Sequence, residues 1–75
     1  MEKQYRIFDA NGSLFQEEAI LKAKTPKEAM DTYAKWNLKM DNHTVLRRPD
    51  GKGRFVVYGG GKSFVYDIAI GNRLI

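Results

Sequence analysis

One helix start governs this chain. Thr25-Pro26-Lys27-Glu28 combines a capping hydroxyl, a proline suited to the first helical turn, and a glutamate three places after the cap. A helix is expected from about Pro26 to Asn37. Ala29, Met30, Tyr33 and Ala34 recur at three- and four-residue steps and form its apolar face, with Trp36 at the end of the set. Asp31 and Lys35 stand one turn apart on the outer face and are expected to pair. Trp36 reads as a lid on the core. Exposed beside Leu38 and Met40 it would instead read as a binding anchor.

Turn residues divide the rest of the chain into strands. Residues 3–9 are rich in aromatic and β-branched types, Asn11-Gly12 is a hairpin signal, and residues 13–24 follow as a second strand. A three-residue loop ending on Gly12 sets Ile7 opposite Phe15. It places Tyr5, Ile7, Phe15, Ala19, Leu21 and Ala23 on one face, broken by Glu17. Past a polar connection at residues 38–43, strands are expected at 44–48, 54–58 and 63–70. Pro49-Asp50-Gly51-Lys52-Gly53 and Gly59-Gly60-Gly61-Lys62 are the turns between them. In the last strand Phe64, Tyr66, Ile68 and Ile70 form the core side, and residues 72–75 fray or extend an edge.

The resulting order is β-β-α-β-β-β. It implies a single α+β domain over residues 1–75, a five-stranded, mostly antiparallel sheet with one helix packed on one face. The other face would then be wet. Phe8, Leu14 and Ile20, with Val65 and Tyr58, would form an exposed apolar patch there, of the kind that marks a partner or self-association surface.

Size restricts the chemistry. The chain has 75 residues and no cysteine. A chain this short buries about 60% of the surface it exposes when unfolded, and its core supplies roughly 3–5 kcal/mol net. Its large apolar residues are needed for folding, which argues against a deep substrate cleft and so against an enzyme. Thiolate catalysis, disulfides and cysteine-ligated metals are excluded. No apolar run reaches the ~20 residues of a membrane span, and Met1-Glu2-Lys3-Gln4 lacks the apolar core of a signal peptide. A cytoplasmic protein without membrane contact and without a cofactor is expected.

Charge is uneven. Residues 1–42 hold seven basic and seven acidic side chains, so the whole net charge of +4 lies in residues 43–75. There Arg47, Arg48, Lys52, Arg54, Lys62 and Arg73 face only Asp50 and Asp67. Hairpin geometry gathers Arg47, Arg48, Lys52 and Arg54 at one tip and puts Lys62 at the opposite end. Such a tip can contact phosphates, with neighbouring aromatics such as Phe55, Tyr58 or Tyr66 stacking on bases where they are exposed. It equally serves solubility and edge protection, and +4 is a modest excess beside the dense stripe of a dedicated nucleic-acid binder.

The remaining motifs fail on spacing. Gly59-Gly60-Gly61-Lys62-Ser63 lacks the first glycine of a phosphate loop, Val56 standing there, and no helix follows. Phe55-Val56-Val57-Tyr58 matches only half of the aromatic strand motif of RNA-recognition folds. Ser63 and Asp67 stand about 13 Å apart along one strand, so His43 cannot bridge them as a triad. His43 with Asp41 lacks further metal ligands, and as a lone loop histidine it is read as solvated. Glu17 and Glu18 point to opposite faces. Asp9-Ala10-Asn11-Gly12 departs from a calcium loop, because its glycine comes early and Ile20 stands at position twelve. Asn42-His43-Thr44 matches a glycosylation acceptor only formally.

These readings converge on a non-enzymatic binding module. The first expectation is a protein-interaction regulator, inhibitor or assembly factor, or a homodimer. The alternative is nucleic-acid binding through the basic hairpin at residues 44–58. The contact residues expected are Arg47, Arg48, Lys52, Arg54, Tyr58, Lys62, Phe8 and Leu14.

Overall fold

A computed structural model describes residues 2–12, 17–50 and 52–75. The elements are β1 (Lys3–Asp9), β2 (Ala19–Ala23), α1 (Pro26–Trp36), β3 (Thr44–Arg47), β4 (Arg54–Gly59), β5 (Lys62–Ile70) and a short β6 (Arg73–Leu74). The main strands lie in the order β2-β1-β5-β4-β3, every neighbouring pair antiparallel. β6 also pairs with β5, lying beyond the first residues of β4. One helix packs on one face, so the fold is α+β with a single antiparallel sheet.

Helix α1 starts where its cap dictates. Thr25 is extended, and its hydroxyl accepts from the Glu28 N–H at 3.1 Å, with Pro26 in the first turn. Ala29, Met30, Tyr33 and Ala34 are its buried residues. They meet Tyr5, Ile7, Ala23, Val45, Phe55, Val57, Tyr66 and Ile68 in one core. The sheet residues of this set alternate along β1, β4 and β5, as period-2 geometry requires. Asp31 does not pair with Lys35. Its carboxylate meets Lys27 at 3.4 Å and the His43 ring at 3.1 Å, which leaves Lys35 free to swing over Trp36.

The first hairpin keeps its expected faces in a different register. Ile7 opposes Ala19, Tyr5 opposes Leu21 and Lys3 opposes Ala23. The shift of four residues is even, so Tyr5, Ile7, Ala19, Leu21 and Ala23 still look toward the helix. It also removes Glu17 from the sheet, where that carboxylate would have faced the core. Glu17 instead meets the Arg6 guanidinium at 2.6 Å. The expected partner Phe15 and the expected contact residue Leu14 lie outside the described residues.

The helix-free face is drier at its centre than alternation alone implies. Phe8 is only 2% exposed, so it offers no free ring to a partner, contrary to the sequence expectation. Val56, Asp67 and Ala69 are buried beside it on the same face. The Arg6 guanidinium lies 5.1 Å from the Phe8 ring centroid, and Arg54 holds Asp67 at 3.0 Å. Long cationic side chains thus lie along apolar surface while keeping their heads wet. In β5, Tyr66 and Ile68 are buried as expected, but Phe64 and Ile70 emerge at the strand ends.

Tyr33 of α1 and Tyr66 of β5 meet edge to face, with ring centroids 5.1 Å apart. Burial is the main cause that pushes both hydroxyls above their ordinary range, and the Asp9 and Glu18 carboxylates add to it. The unfolded chain begins to lose these protons near pH 10 while the folded chain keeps them. Stability is therefore full below about pH 10 and falls as pH rises beyond it. Urea unfolding at rising alkaline pH should show this decline, and Tyr66→Phe should reduce its slope. An unchanged slope would remove the assignment.

Candidate functional site at the α1–β3 end

Tyr58 and Lys62 stand at one end of the molecule and the other basic candidates at the opposite end. β3 and β4 pair with Thr44 opposite Tyr58 and Arg47 opposite Phe55, so the strand length separates the two groups.

At the Arg47 end, the expected cation cluster is largely engaged. Arg47 donates to the Ile75 backbone carbonyl and lies 5.3 Å over the Phe55 ring. Arg48 pairs with Asp50, its Nε 2.9 Å from the carboxylate. Arg54 donates to the buried Asp67 carboxylate, which holds the guanidinium proton more firmly than usual. Lys52, exposed in the turn, has neither an ion pair nor a side-chain hydrogen bond among the described residues. Strand parity also splits the set, since Arg47 shares the helix side with Phe55 while Arg54 shares the other side with Asp67. Arg47 and Arg54 thus make contacts distant in sequence, Arg48 makes a local exposed pair, and the cations are divided between the two faces.

The opposite end is built differently. β4 and β5 turn through Gly60 and Gly61, both at positive φ, with Gly59 opposite Lys62. This is the primed two-residue turn that matches strand twist, which accounts for the glycines without any phosphate. Gly59 has a separate reason. A Cβ there would come within 2.9 Å of the Asn42 carbonyl oxygen and 3.1 Å of Met40 Sδ. The hairpin end is therefore seated against the connection at residues 37–43.

That connection is itself tied down. The Met40 N–H donates to the Ala34 carbonyl at 3.0 Å. His43, half-buried and not solvated as expected, sets Nδ1 3.0 Å from the Met40 carbonyl and Nε2 3.1 Å from Asp31. Both ring nitrogens are occupied, and no group of three or more His, Asp or Glu among the described residues is placed to hold a metal.

Two shallow grooves flank the seam. One, of about 670 Å³, is lined by Asn42, His43, Thr44, Tyr58, Lys62 and Ser63, with Asp41 at its edge. The other, of about 530 Å³, lies between Leu38, Lys39 and Met40 on one side and Gly60, Lys62 and Phe64 on the other. Trp36 ends α1 two residues before Leu38 and is 68% exposed, so it is no core lid. It sits about 140° around the helix from Asp31, on the flank away from β3. The Lys35 ammonium lies 5.3 Å from its ring centroid.

The aromatic side chains sort by location. Tyr5, Phe8, Tyr33, Phe55 and Tyr66 are buried, while Trp36, Tyr58 (46% exposed) and Phe64 (36% exposed) are the exposed aromatics among the described residues. Tyr58 and Phe64 flank the β4–β5 turn on opposite faces of the sheet, and Trp36 ends α1. The ion pairs of the described residues leave Lys35, Lys39 and Lys62 around them without a carboxylate partner.

Lys39 is also conformationally unusual. Its φ is 56°, the left-handed region, where a side chain is strained and glycine is not. Lys39→Gly is expected to raise stability by about 0.5–1 kcal/mol. Urea unfolding of the two proteins checks this, and a destabilised variant would show that the lysine side chain contributes to the fold itself.

Comparison with protein-family models, with curated proteins and with solved structures finds no match to this chain.

Proposed function

We propose that this chain is a non-enzymatic protein-binding module that contacts its partner through the end formed by residues 36–42 and 58–64. The supporting observation is Trp36. A chain of this size needs its large apolar residues in the core. This one leaves its tryptophan two-thirds exposed at the end of α1, two residues before Leu38 of the apolar groove. Tryptophan and tyrosine dominate the energetic centres of protein interfaces. Of the residues expected from sequence, Tyr58 and Lys62 belong to this surface.

The nucleic-acid reading through residues 44–58 has weaker support, because Arg47, Arg48 and Arg54 already have internal partners. The test is lysine cross-linking in host lysate with mass-spectrometric mapping, with and without nuclease. Cross-links from Lys35, Lys39 and Lys62 to protein should survive nuclease and disappear in a Trp36→Ala, Phe64→Ala double variant. Cross-links lost on nuclease treatment, or confined to Lys52, would overturn the proposal.

A further inference from the structure

We infer that the groove between Leu38, Met40 and Phe64 receives an apolar side chain from an acidic partner segment, whose flanking carboxylates pair with Lys39 and Lys62. This inference rests on the reading of the 36–42 and 58–64 end as a protein-binding surface, and it names the partner's chemistry.

Strand and loop geometry put the elements of recognition together. Lys62 and Phe64 are two apart on β5, so both side chains project toward the helix side. Across the groove stand Leu38, Lys39 and Met40. Leu38 and Met40 are half-buried and packed against the core, which gives the groove an apolar floor that is already in place. Gly59 keeps that floor closely seated on Met40. Methionine adapts to irregular apolar shapes, which suits a side-chain pocket. Two cations, with Asp41, therefore line one largely apolar groove.

Charge selects the partner. Neither lysine has a carboxylate partner among the described residues, and Asp41 is the acidic residue lining this groove. Lys39 retains its cation at a backbone position that glycine would occupy without strain. A second copy of the chain would bring the same lysines and another net +4 to the contact. A nucleic-acid strand would need several aromatic faces for its bases, yet Phe64 is the one aromatic lining this groove. An acidic, apolar segment satisfies both the groove and its rim.

The test uses the ¹⁵N-labelled chain and four synthetic probes. Three are short peptides of one apolar pattern, with Leu and Phe separated by Asp and Glu, by Gln, or by Lys. The fourth is a short oligothymidylate strand. The acidic peptide should shift the Trp36 indole and the Leu38, Met40 and Phe64 amides, with a Kd below about 1 mM that rises with salt. Lys39→Glu with Lys62→Glu should weaken it about tenfold, and Lys62→Glu alone by a smaller factor if the double variant misfolds. Lys39→Gly should bind more weakly while being more stable, a divergence that a purely structural lysine would not produce.

Equal affinity for the Gln peptide overturns the carboxylate pairing while the protein-binding surface stands. Shifts confined to other residues, or none with any peptide at about 1 mM, overturn the proposal. Binding of the oligothymidylate alone overturns the surface reading as well.

Discussion

Gly53→Ala is expected to remove most of the protein's stability. Gly53 is buried in the turn before β4 with φ 69°, a region that costs an L-residue about 1–2 kcal/mol. Space is the larger difficulty. A Cβ would stand 2.6 Å from the Ile68 carbonyl oxygen and 2.8 Å from the Ile75 nitrogen, both rigid backbone atoms. The Gly53 carbonyl accepts from the Ile68 N–H at 2.8 Å, and the Ile75 N–H donates to the Ile68 carbonyl at 3.1 Å. Any movement that relieves the clash breaks these bonds. Strain and overpacking together come to about 2–5 kcal/mol, against a net stability of roughly 3–5 kcal/mol for a domain of this size. Circular dichroism and urea unfolding measure the loss. A variant within about 1 kcal/mol of the parent would mean that residues 73–75 do not pack where β6 lies.

Met30→Ala should be nearly as severe, and Trp36→Ala nearly silent. The two residues belong to one helix and differ in direction. Met30 is fully buried against the sheet, so truncation removes its contacts and leaves a cavity, at a cost of about 2–5 kcal/mol. Trp36 stands mostly in water, so its removal should shift stability by no more than about 1 kcal/mol. Equilibrium urea unfolding with unchanged m-values decides the comparison. A large loss on Trp36→Ala would make the tryptophan a core element and remove the main support for the binding surface. A small loss on Met30→Ala would mean that the helix is docked on a different face.

The helix was legible because its signals are local. Thr25, Pro26 and Glu28 act within one turn of each other, and the apolar spacing of Ala29, Met30, Tyr33 and Ala34 points to one side. The strands β4 and β5 were legible for the same reason, bounded by glycines that only turns require. The register of the first hairpin was not. Parity chooses a face and cannot distinguish Phe15 from Ala19 opposite Ile7, because both satisfy the period of two. Contacts distant in sequence accompany the observed choice, with Arg6 meeting Glu17 at 2.6 Å and the Gly71 carbonyl at 2.5 Å.

The candidate surface divides in the same way. Counting along β4 puts Lys62 at the far end from the arginines, and alternation puts Tyr58 on the helix-free face. Burial of Phe8, capture of Arg47 by Ile75 and of Arg54 by Asp67, and exposure of Trp36 each depend on what a neighbouring element places nearby. Phe8 and Tyr58 both alternate onto the helix-free face, but one lies under Arg6 and the other at an open end.

Local backbone chemistry in the chain therefore sufficed for the type and order of the main elements, and period-2 and 3.6-residue repeats for the sides they bury. Which charges remain free, which aromatic rings meet water and where a partner would touch arose only on assembly. Those properties come from long side chains and carbonyls brought together across tens of residues, and spacing along the chain carries no record of such meetings.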